Sequence, residues 1–115
     1  MADFTMYAGD TKVLAVTVLD NTGDPVDITG TDIRWWLAKN AKKTGADVLL
    51  KKETGGDGIV ITDGPAGLFE VTLNSADTEN LKGPYYHEAE VDDAGVISTV
   101  LTGKATINLA LIKPE

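Results

Sequence analysis

The chain has 115 residues, 43% of them hydrophobic and 24% charged, with no Cys and a single His. These are the proportions of one globular domain, residues 1–115, rather than of a disordered or fibrous chain. Ten Lys and Arg against 18 Asp and Glu leave a net charge of −8, which argues against a sequence-blind grip on nucleic acid or an anionic membrane surface, since both need surface cations. Without Cys there is no disulfide framework, thiolate nucleophile or Cys-type zinc site. The N-terminal residues show no signal-peptide pattern, and no apolar run approaches the ~18 residues of a membrane span. A soluble protein made in a cytoplasm is expected.

Short alternating runs separated by turn clusters predict an all-β sandwich. Val13–Leu19, rich in β-branched residues, reads as the first long strand, broken by Asp20-Asn21-Thr22-Gly23-Asp24-Pro25. A short piece, Val26–Thr29, closes at Gly30. Ile33, Trp35 and Leu37 alternate with Arg34, Trp36 and Ala38, which places Trp35 inward and Trp36 outward. Asn40–Gly45 reads as an exposed basic loop, and Val48–Lys52 as an edge strand guarded by Lys51 and Lys52. Ile59–Thr62 and the alternation of Phe69, Val71 and Leu73 are further strands.

Ser75–Leu81 is the one helical stretch, with Ser75 as N-cap and Gly83-Pro84 as stop. Tyr85–Val91, a hairpin turn at Asp92–Gly95 and a long last run follow, with Leu101, Gly103, Ala105, Ile107, Leu109 and Leu111 on one face. No helix is long enough to cross over between parallel strands, so neighbours are expected to pair antiparallel. The predicted core is Trp35, Phe69, Val71, Tyr85, Val91, Ile107 and Leu109.

Chemistry is thin. The only His, His87, falls mid-strand at core parity and reads as a packed, hydrogen-bonded side chain rather than a catalytic base. Asp20, Asp24, Asp27, Asp92 and Asp93 invite a calcium reading, but their spacing is not that of an EF-hand loop and tight turns favour Asp. No catalytic residue, metal or cofactor is expected. Trp36 beside Arg34 is either covered within the fold or a partner contact, because large exposed aromatics are enriched at interfaces. Lys42 and Lys43 read as a solvated loop or as a docking patch for an acidic neighbour.

Leu81-Lys82-Gly83-Pro84-Tyr85 resembles the tyrosine corner of Greek-key sandwiches, in which the ring packs at the core edge and the hydroxyl bonds the backbone across the corner. Trp35 resembles the buried Trp of immunoglobulin-like domains. His87 stands two residues after Tyr85, where antibody domains carry a Cys, so no inter-sheet disulfide is expected. The order of turns is Gly9-Asp10, Asp20–Gly30, Ile59–Gly67, Asp77–Tyr86, then Val91–Gly95 leading to Thr99–Gly103. Over most of the chain this resembles the small immunoglobulin-like domains of tailed-bacteriophage virion proteins, including the N-terminal domain of baseplate upper proteins.

The resemblance implies an antiparallel immunoglobulin-like β-sandwich with one short helix. It also implies a non-enzymatic structural or assembly role in a phage or prophage particle, at the head, neck, tail or baseplate. The expected partners are other virion proteins and further copies of the chain, with no nucleic acid or membrane. The expected location is the virion, after synthesis in the host bacterial cytoplasm. The alternative is a carbohydrate- or cell-surface-binding module on the same sandwich, which the 6% aromatic content disfavours.

Overall fold

A computed structural model describes residues 3–39, 48–56 and 58–109. The strands are β1 (Phe4–Tyr7), β2 (Lys12–Thr17), β3 (Asp32–Ala38), β4 (Val48–Glu53), β5 (Ile59–Asp63), β6 (Leu68–Leu73), β7 (Gly83–Asp93) and β8 (Val96–Asn108), with a single-turn helix α1 (Ser75–Thr78) between β6 and β7. They form a five-stranded sheet, β1-β8-β7-β3-β4, and a three-stranded sheet, β2-β6-β5. The all-β sandwich with one short helix is therefore as expected. Its strand order is that of an immunoglobulin-like domain, with β8-β7-β3-β4 forming one sheet and β2-β6-β5 the other.

Period-2 alternation builds the core between the sheets. Ile33, Trp35 and Leu37 of β3 face Phe69, Val71 and Leu73 of β6, all essentially inaccessible. Ala89, Ala105 and Ile107 complete the floor from β7 and β8. Between β2 and β3 the chain makes no named strand. Ile28 instead plugs the end of the core, its amide bonded to Gly64 O at 2.9 Å and its carbonyl accepting the Thr31 hydroxyl at 2.8 Å. Gly67, at φ +74, lets this segment close, because a Cβ there would lie 2.6 Å from Val18 O.

Some expectations need correction. Pairing is not wholly antiparallel: β1 runs parallel to β8, Phe4 opposite Ala105. The crossover argument does not reach this pair, since almost the whole domain lies between its strands. A short strand that the sequence did not mark, Phe4–Tyr7, precedes the first long strand, which runs Lys12–Thr17 rather than Val13–Leu19. Leu109 is 51% exposed, not core, because β8 ends at Asn108. Tyr85 is only half-buried, at the edge of the core. Finally, Asn74 rather than Ser75 caps α1: Asp77 N–H donates to Asn74 O at 3.0 Å and Asn74 N–H to Asp77 Oδ2 at 2.7 Å.

Lys52, expected as an edge guard, points the other way. It continues the inward parity of Val48 and Leu50, its side chain is 1% exposed, and its ammonium meets Asp77 Oδ2 at 2.9 Å. Lys51 alone of the two faces solvent.

Candidate functional site

The outer face of the five-stranded sheet carries the chemistry-bearing side chains. Trp36 is 38% exposed, with Lys51 of β4 and Glu88 of β7 as its register neighbours. The Lys51 ammonium lies 4.5 Å from the Trp36 ring centroid, a cation–π contact. One pair of rungs along, the Arg34 guanidinium reaches Glu90 at 3.7 Å and Asp92 at 3.9 Å. These partly exposed pairs contribute little to stability but hold Arg34 across the sheet. Asp32, Arg34, Trp36, Glu53 and Thr54 line a shallow groove of about 370 Å³ beside the ring. Arg34 and Trp36 thus share one face, whereas Lys42 and Lys43 lie outside the described residues.

The three residues singled out as structural lie on the opposite side of the sheet or at its end. Trp35 is fully buried, and its indole N–H donates to His87 Nδ1 at 3.0 Å. A ring nitrogen that accepts carries no proton, so the ring proton of neutral His87 is on Nε2. The Phe4 ring meets His87 edge-on at 4.9 Å. His87 is buried, with its Nδ1 engaged by the Trp35 indole. The Tyr85 hydroxyl accepts from Lys82 N–H and donates to Lys82 O, both at 3.0 Å, in a solvent-exposed corner. The bond across the corner is present, but its backbone partner is not buried.

The Asp-rich turn is satisfied internally. Asp20 Oδ1 accepts from the Thr22 hydroxyl at 2.6 Å, Thr22 N–H at 2.9 Å and Asp24 N–H at 3.0 Å. Hydrogen bonds from the Thr22 hydroxyl first, then from the Asp24 and Thr22 amides, hold the Asp20 carboxyl below the usual carboxylate range. Thr29, through its hydroxyl and then its amide, does the same for Asp27. Among the described residues no group of three or more His, Cys, Asp or Glu could hold a metal ion.

Sequence reasoning missed the Lys52–Asp77 pair, although the Val48, Leu50, Lys52 alternation carried its signal. Compared with known proteins, the chain matches no family model and no curated protein.

Proposed function

We propose that this chain is a non-enzymatic structural protein of a phage or prophage particle, working by docking to other virion proteins and to further copies of itself. The observation that carries the docking reading is the outer face of β3. An accessible indole is held in place by Lys51, next to an arginine fixed by two acids. Such a pre-ordered aromatic and cation pair can anchor a protein interface with little further loss of side-chain entropy. The immunoglobulin-like strand order agrees with the resemblance to virion domains, and that resemblance is what points to a phage particle.

A sugar-binding reading has one observation in its favour: the shallow groove that places Trp36 beside Asp32, Arg34 and Glu53. Stacking a sugar requires an open indole face, however, and Lys51 already lies over the ring. Docking is therefore the better reading.

Mass spectrometry of particles purified from a strain carrying the gene tests the virion role: the chain is expected as a stoichiometric component, and its absence from intact particles overturns the proposal. For the face itself, Trp36→Ala is expected to leave the fold intact and weaken capture by the particle partner at least about tenfold, as loss of an interface anchor does.

A further inference from the structure

We infer that the N-terminal half of β8, Val96–Leu101, is an open sheet edge that pairs antiparallel with the same edge of a second copy, joining two five-stranded sheets into one. This deepens the docking reading by making this chain its own partner, through a surface distinct from Trp36.

Among the described residues the edge is free, because β1 covers only the far end of β8, from Ala105 to Asn108, with Asp3 Oδ1 accepting from the Lys104 amide at 2.8 Å. On the near side an open trough of about 440 Å³ separates Thr99–Thr102 from Ala15–Thr17 of β2, leaving room beside the strand. The β4, β2 and β5 edges carry charged guards, Lys51 and Glu53, Lys12, and Asp63, whereas β1 is protected by its length of only four residues. From Val96 to Gly103 the chain reads VISTVLTG, with no charge and no Pro. Val96 is 69% exposed and Ile97 57%, large apolar side chains at the end of an unguarded edge.

Self-complementarity selects a second copy as the occupant. With a two-fold axis at Ser98, Ser98 meets Ser98, Ile97 meets Thr99 and Val96 meets Val100. Ile97 and Thr99 share the outer face, opposite Asp92 and Glu90, while Ser98 lies opposite the inward Val91. The extra residue at the irregularity in β8, Val100, packs against the core. The register therefore brings like faces together. A two-fold contact of this kind closes on itself and stops at a dimer.

Sedimentation of the whole chain over a concentration series is expected to show a dimer. Ser98→Lys sets two ammonium groups against each other at an exposed position and is expected to weaken the dimer at least about tenfold, with a melting curve unchanged at dilutions where both proteins are monomeric. The chain has no Cys, so Ser98→Cys reports its own neighbour: facing Cα atoms of an antiparallel pair fall within disulfide reach. Mild oxidation should link Ser98→Cys and leave Val60→Cys, on the β5 edge, largely unlinked. A wild type monomeric throughout overturns the inference, and so does a dimer that survives Ser98→Lys. A dimer lost with Trp36→Ala but kept with Ser98→Lys overturns the edge and leaves the docking face. A Ser98-dependent dimer from a chain absent from particles leaves the edge and overturns the virion role.

Discussion

Two neighbouring cross-strand pairs show how one sheet makes opposite uses of the same residue types. Trp35 stands opposite Lys52, and Trp36 opposite Lys51. On the inner face the indole is fully buried and bonded to His87, and the lysine is buried against Asp77. On the outer face the second indole is accessible and the second lysine lies over it, with its ammonium free to meet water. One residue of register separates a core Trp from a surface Trp. Identity alone does not assign a role; face does.

The sharpest way to break the comparison is to truncate both indoles. Trp35→Ala is expected to cost about 3–5 kcal/mol, from the cavity and from His87 losing its indole donor. Trp36→Ala, measured by the same urea titration, should cost only about 0.5–1 kcal/mol, the scale of an exposed cation–π contact. Equal losses would mean that the two faces are not distinct.

The lysines give the next largest effect. Asp77→Ala takes away a carboxylate 2.9 Å from a buried ammonium and opens the cap of α1, so a loss of about 3 kcal/mol is expected. Lys52→Met keeps the packed stem and removes the charge, and should cost less than about 1.5 kcal/mol. Lys51→Met should be close to neutral in stability. Were Lys52→Met as damaging as Asp77→Ala, the buried pair itself, rather than its integrity, would be holding the fold.

Face is readable from local alternation, which is why β3, β6 and the Asp92–Gly95 hairpin were legible from the residues alone. Partners distant in sequence were not. Phe4–Tyr7 offers only two inward positions, and its pairing partner begins at Ala105, so nothing local marks it as a strand. Lys52 carried the inward parity of Val48 and Leu50 but was assigned by its charge, because the residue that neutralises it, Asp77, arrives from another element. At the docking face, Trp36 and Arg34 followed from strand parity, whereas the Lys51 contact needed the β3–β4 register. Leu109 kept the alternation of β8 past the point where the sheet has anything left to bury.

Tyr85 lies between the two environments and sharpens the boundary. Its ring packs on the core, but the hydroxyl bonds an exposed backbone, so water can replace the bond once it is gone. Tyr85→Phe should therefore cost about 0.5–1.5 kcal/mol, the net worth of an ordinary hydrogen bond, rather than the larger penalty of an orphaned buried group. A chemical-denaturation midpoint equal to the parent's would place the corner fully in the outer regime.

The smallest effect is expected where polar groups are satisfied entirely at the surface. Asp20 accepts three hydrogen bonds within its own turn, and these lower its folded pKa below the usual carboxylate range. A lowered carboxyl stabilises the fold above its unfolded pKa, and that contribution disappears as pH falls through the folded value. The useful window therefore lies below about pH 4, where Asp20 protonates in the unfolded chain before it does so in the native turn. Asp20→Asn removes the charge at every pH. Wild type and variant should differ slightly in denaturation midpoint at pH 7, and the difference should shrink as the pH approaches 2. A difference that widened on acidification would reverse the sign of this linkage and show that the ionised turn opposes the fold.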